Sequence, residues 1–174
     1  MTAIALRPTV RPWWRWLLTA AALPPSGLAA NIVVGRIDST SSAVLGGLIA
    51  GAGIGVGQWL LLRRPSWIPA TALGMAAGLA AGAAVVDYRT DRPSLAVMGA
   101  LTGAGIGLAQ SVTMRGARRA AMWTAATAGL WALGWTITAV GGIDVDEQWT
   151  NFGAYGAISV AFLQSLFVRK VVAA

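Results

Sequence analysis

Six stretches of the chain carry no Asp, Glu, Lys, Arg or His: roughly 16–35, 41–62, 65–86, 94–114, 120–143 and 151–168. Each is about 18–24 residues long, and at ~1.5 Å of rise per residue a helix of that length crosses the ~30 Å hydrocarbon layer of a bilayer. Inside that layer no water is available to satisfy backbone N–H and C=O groups, so spanning segments close their hydrogen bonds internally, as helices. Charged residues make up 11% of the chain, against ~25% for a soluble domain. The expectation is an all-α integral membrane protein with six transmembrane helices, and a single transmembrane domain over residues 1–174.

The connecting segments fix an orientation. Taken alternately, one set holds Arg7, Arg11, Arg15, Arg63, Arg64, Arg115, Arg118, Arg119, Arg169 and Lys170 with no acid. The other holds Asp38, Asp87, Asp91, Asp144, Asp146 and Glu147 beside Arg36, Arg89 and Arg92. This asymmetry is the positive-inside pattern, and it places both termini in the cytoplasm. The net charge of +7 is therefore a matter of topology. Nucleic acid is excluded as a partner, because these short loops lack bases interleaved with exposed polar and aromatic surface. The basic residues before Trp16 followed by an apolar run resemble a secretory leader. No A-x-A site follows, however, and Val34, Gly35, Ile37 and Asp38 align with Val140, Gly141, Ile143 and Asp144. The segment reads as a retained helix. Twelve Arg to one Lys, with abundant Ala and Gly, fits a GC-rich bacterial genome.

A repeat organises the spans. Residues 47–63 and 99–115 share eight of 17 positions: Gly47, Gly51, Ala52, Gly53, Ile54, Gly55, Gln58 and Arg63, each with its counterpart 52 residues on. A third copy, at 153–169, keeps Gly153, Gln164 and Arg169, with Ala157 and Ala161 at the small positions. Repeats take precedence because they determine architecture. The units run approximately 13–64, 65–116 and 117–170, each an outward helix, an acidic loop and an inward helix ending Gln-x4-Arg. Three hairpins in the same direction imply parallel repeats about a pseudo-threefold axis along the membrane normal.

Helical geometry places Gly47, Gly51, Gly55 and Gln58 on one face and Gly46, Gly53 and Gly57 nearly opposite. Gly99, Gly103 and Gly107 repeat the first face ahead of Gln110. Small residues on two faces permit close approach on both sides, so the second, fourth and sixth helices are expected inside, ringed by the odd ones. Trp13, Trp14, Trp16, Trp59, Trp67 and Trp123 are expected as anchors at the cytoplasmic interface, and Trp149 at the outer one. Pro24-Pro25 is expected to kink the first helix or end it early.

The run G-A-G-I-G-V-G at 51–57 is no nucleotide loop: the spacing is not G-x-G-x-x-G, and no strand precedes it. Gln58, Gln110 and Gln164 carry two readings. Each amide bonds a neighbouring helix, contributing ~0.6–2 kcal/mol, or the three form a ring that binds or passes a small polar solute. The outer acids cap helices and shape topology, or form a vestibule for cations. Arg63, Arg64, Arg115, Arg118, Arg119, Arg169 and Lys170 set topology and are placed to attract anionic lipid headgroups. With no Cys or His, and Asp146-Glu147 in a loop without a metal partner, neither a catalytic site, a metal site nor a cofactor is expected. No span carries the ionisable group that ion-coupled carriers use.

The segment G-A-G-I-G-V-G-Q-W-L-L-L-R-R followed by W-I-P-A-T-A-L-G resembles a group of small bacterial membrane proteins that repeat a G-x-x-x-G-x-x-Q-W-x-x-L-R helix and a Trp-led helix. The resemblance is strongest at 47–78, weaker at 99–134, where Ser111 replaces the tryptophan, and weakest at 153–169. It implies the fold and a bacterial cytoplasmic membrane, and carries no activity. The expected function is non-enzymatic: a structural subunit that binds a membrane partner, another copy of itself, or lipid. The alternative is a passive channel or permease built on the glutamines.

Overall fold

Two prolines decide how the chain enters the fold. The computed structural model describes residues 13–142 and 154–171. It begins with a 3-10 segment, Trp13–Ala22, which hands over to an α-helix, α1 (Leu23–Val34), with Pro24 and Pro25 in its first turn. Proline is accepted there because the N–H it lacks would have no intrahelical acceptor. The irregularity expected at these prolines is thus a change of helix type from 3-10 to α.

The remaining elements are α2 (Thr40–Leu62), α3 (Trp67–Val85), α4 (Arg92–Ser111), α5 (Ala117–Val140) and α6 (Ala154–Val171), and no strand occurs among the described residues. Polar caps set the starts of α2 and α4. The Ser39 hydroxyl accepts from Ser42 N–H, and Ser42 Oγ accepts from Ser39 N–H in return. Asp91 Oδ1 accepts from Ser94 N–H at 3.0 Å, and Ser94 Oγ donates to Asp91 Oδ2 at 2.8 Å. Each cap satisfies backbone donors that a first helical turn leaves free. Four segments are long and apolar enough to cross a membrane: Arg15–Val34, Thr40–Leu62, Trp67–Val85 and Arg92–Ser111. Large apolar side chains such as Ile32, Leu73, Val85 and Leu108 point outward from them, as a hydrocarbon solvent permits.

The helices pack in chain order, each on the next, and α6 closes the circuit against the 3-10 segment. Glycine sets the spacing. A Cβ on Gly47, Gly51 or Gly55 would meet the α3 backbone at Ala76, Ala72 or Ile68, at 2.6–2.8 Å. Gly103 and Gly107 abut Thr127 and Thr124 of α5 at 2.5 and 2.7 Å, and Gly99 abuts Trp131 at 2.9 Å. On the other side of α2, Gly46 faces Val34 and Ile37, Gly53 faces Ser26 and Gly57 faces Ala22. Between α3 and α4 the close approach is glycine on both sides, with Gly105 against Gly74 and Gly78.

This arrangement corrects the expected inner and outer tiers. Among the described residues, α2, α4 and α6 do not pack on one another; odd and even helices alternate around the molecule. The two small faces of α2 meet α3 on one side and the first helix on the other, so both are spent on its two neighbours.

Candidate functional site

The buried interior is layered. At the end of the helices that carries the Arg63 and Arg115 loops, the core consists of Trp16, Trp67, Trp123 and Ala161. Ala30, Ala50, Ile54, Met75, Ile106 and Trp131 fill the middle. At the other end, beside the Asp38 and Asp87 loops, lie Ala43, Leu79, Ala83, Val86 and Met98.

The glutamines belong to the first layer. Gln58, Gln110 and Gln164 are 6%, 0% and 6% exposed. Gln110 Nε2 donates to Gln58 Oε1 at 2.9 Å and to Thr71 Oγ1 at 2.8 Å, which uses both of its amide protons. Gln110 Oε1 accepts from Trp123 Nε1 at 2.9 Å. Thr71 Oγ1 also stands 3.0 Å from Gln58 Oε1 and 2.7 Å from the Trp67 carbonyl, and its single proton serves one of the two at a time. Gln164 Oε1 accepts from Trp16 Nε1 at 3.3 Å.

Three indoles fill the space between these amides. Trp16, Trp67 and Trp123 are each no more than 3% exposed. Their rings meet pairwise edge to face, with centroids 6.1, 6.2 and 5.8 Å apart. In this geometry the positive edge of one ring faces the negative face of the next, an arrangement favourable by ~0.5–1.5 kcal/mol per pair beyond the area it buries. These three tryptophans were expected as interfacial anchors and are core residues instead. Trp59 is half-buried; the side chains of Trp13 and Trp14, and the whole of Trp149, lie outside the described residues.

One polar atom in this layer is left over. The indole N–H groups of Trp16 and Trp123 each reach a glutamine, whereas Trp67 Nε1 is buried without an acceptor. The cause is a register difference. Trp123 follows Gln110 by 13 positions; 13 positions after Gln58 stands Thr71, because Trp67 follows Gln58 by only nine. Thr71 therefore occupies the slot beside Gln58 that Trp123 fills beside Gln110. Thr102 Oγ1 and Thr127 Oγ1 are likewise buried and unpaired.

The candidate ring is therefore only partly a ring. Gln58 and Gln110 bond each other, Gln164 bonds Trp16, and indoles occupy the centre. Sequence reasoning missed Thr71 and the tryptophan triangle. The available signal was the shared W-x-x-x-T of W-I-P-A-T-A and W-T-A-A-T-A, which follows Gln58 and again Gln110. Arg63, Arg115 and Arg118 are exposed beyond this layer, and Arg64 and Arg119 are half-buried. Arg63 ends α2 in the left-handed conformation, φ 56°. The side chains of Arg169 and Lys170, together with Gly153, Asp144, Asp146 and Glu147, lie outside the described residues. Asp38, Asp87 and Asp91 are exposed on loops at the far end. The Asp91 carboxyl is held below its ordinary value chiefly by the backbone N–H of Ser94 and then by the Ser94 hydroxyl.

No family model matches the chain, and neither a curated protein nor a solved structure shows significant similarity to it.

Proposed function

We propose that the chain is a non-enzymatic structural subunit of a bacterial cytoplasmic membrane, in which the three glutamines serve as internal glue. In this reading all six helices cross the bilayer as three hairpins about a pseudo-threefold axis, with both termini in the cytoplasm. The outward surface meets a membrane partner, a second copy or lipid, and the arginine-rich rim meets anionic headgroups. The observation that carries the reading is the complete pairing of Gln110. Both amide protons and the carbonyl oxygen are engaged inside the protein, at zero exposure. A group lining a solute path keeps donors and acceptors free to replace water around the solute. The alternative, a passive path for a small polar solute, is weakened by the same pairing and by the indoles beside it.

Replacing Gln58, Gln110 and Gln164 together by leucine tests the proposal. The wild type in liposomes is expected to pass glycerol, urea and K+ no faster than empty vesicles, and the triple variant to melt at a lower temperature in detergent. Wild-type flux that disappears in a folded triple variant overturns the structural reading in favour of the channel.

A further inference from the structure

Beyond the tryptophan layer, toward the Asp38 and Asp87 loops, the bundle contains a cavity of about 370 Å3 lined by α1 to α5. We infer that this cavity holds the single hydrocarbon chain of an anionic amphiphile, with its headgroup at Arg36. The inference rests on the membrane-embedded reading above and adds a ligand site to it.

Three features point to this occupant. The first is the wall, which is apolar and already shaped: Ala30, Ala50, Ile54, Met75, Leu79 and Trp131 face the space. A void of this kind left empty leaves its lining atoms without dispersion partners, and water gains few hydrogen bonds there. The second is depth. Along α1 the lining runs from Leu23 to Val34, eleven residues on, or about 16 Å of helix. That is close to half of the ~30 Å hydrocarbon core, the reach of one acyl chain in one leaflet. The volume lies at the lower end of the ~300–1,000 Å3 typical of small-molecule sites, which suits one chain better than two.

The third feature is the mouth. Toward the loops its lining turns polar, with Asn31, Arg36, Tyr88 and Thr90. Arg36 is exposed and, among the described residues, is the only charged side chain of the lining. Asp38 and Asp87, though close in sequence, do not line it. A guanidinium over an apolar shaft forms an amphiphile's negative: donors for a phosphate or carboxylate above, hydrocarbon walls below. The Tyr88 hydroxyl beside it is bonded to Thr40 Oγ1 at 3.0 Å. Ile54, Met75 and Trp131 line the shaft and belong to the middle core layer, with the buried glutamine and indole layer beyond it.

The test uses the full chain in neutral detergent, titrated with lysophosphatidylglycerol and read by native mass spectrometry. One lipid per chain is expected, saturable and persistent after detergent exchange. Ala50→Phe fills the shaft and is expected to weaken binding by at least about tenfold. Ala30→Leu, on a different helix, should act in the same direction, and covers the case in which Ala50→Phe fails to fold. Arg36→Gln, at the exposed mouth, is expected to weaken lysophosphatidylglycerol about fivefold, with lysophosphatidylcholine unchanged. The inference is overturned if no saturable one-to-one species forms, or if folded Ala50→Phe and Ala30→Leu bind as the wild type does. It is also overturned if lysophosphatidylcholine binds wild type as tightly as lysophosphatidylglycerol. None of these outcomes depends on solute flux, so failure here leaves the structural reading standing, and failure there leaves the lipid site to be judged by itself.

Discussion

The two halves of the molecule solve the same packing problem in opposite ways. At the arginine-rich end, the middle of the bundle is filled by indoles and amides, and the rings of Trp16, Trp67 and Trp123 meet pairwise edge to face. Trp16 and Trp123 are bonded to glutamines, and of the three indoles only the Trp67 N–H is left over. From the middle layer to the acidic end the same helices carry smaller or thinner side chains, Ala30, Ala50 and Leu79 among them, and leave about 370 Å3 open. The backbone spacing is set by glycine contacts along both halves. What differs is the side chain that projects inward: a tryptophan closes the bundle, an alanine opens it.

If that contrast is right, the largest effect comes from emptying the filled half. Trp123→Ala is expected to cost about 3–5 kcal/mol, seen as a large loss of melting temperature in detergent. Filling the open half with Ala50→Leu should cost nothing or raise the melting temperature, as cavity filling commonly does. Equal and opposite results would mean that the indole layer is loosely packed and the cavity is a strained site.

Next in size is the spacing itself. Gly103→Ala places a methyl about 2.5 Å from the Thr127 carbonyl oxygen, and overpacking of that kind costs ~1–3 kcal/mol. Gly129→Ala, where a Cβ meets nothing within 4 Å, is expected to be neutral or mildly stabilising. Melting curves of the pair separate crowding from helix propensity.

A finer comparison lies within the filled half. Trp123→Phe strands Gln110 Oε1 and is expected to cost ~1 kcal/mol. Trp67→Phe removes an N–H that has no acceptor, and is expected to be neutral or stabilising. If both substitutions cost the same, Trp67 Nε1 finds a partner in the folded protein and the register argument fails.

The smallest effect is a pH dependence at the acidic end. The Asp91 pKa is lowered by its Ser94 bonds, so its contribution to stability is full above the unfolded value of about 3.9 and is lost as pH falls through the folded one. The melting difference between wild type and Asp91→Ala should hold steady from neutral pH down to about pH 5 and shrink below about pH 4. A difference that grows on acidification contradicts the cap.

Much of this was legible in the chain before its structure. Uncharged runs of membrane length announce helices, and Gln58 and Gln110, which align 52 residues apart in the sequence, bond each other. What could not be read was which way the tryptophans turn. Trp16, Trp67 and Trp123 stand near helix ends beside arginines, where an interfacial anchor and a core residue have the same sequence signature. The alternation of odd and even helices was hidden for a related reason. Glycine on two faces of α2 fits an inner position between two shells as well as a place in a circuit between two neighbours. The 3-10 segment had no signal at all beyond the prolines that end it.

The closure of the circuit has a consequence for biogenesis. Trp16 bonds Gln164, 148 positions later in the chain, so the first helix waits for its far neighbour until those residues have been synthesised. Pairs such as α2 with α3 or α4 with α5 assemble as soon as both members emerge, with little chain entropy to overcome. Among the described contacts the last to form is then that of α6 with Trp16, and until it comes the nascent bundle carries an open seam along its side. That seam is where an insertase or chaperone would be needed most, and where a truncated product would be recognised for degradation.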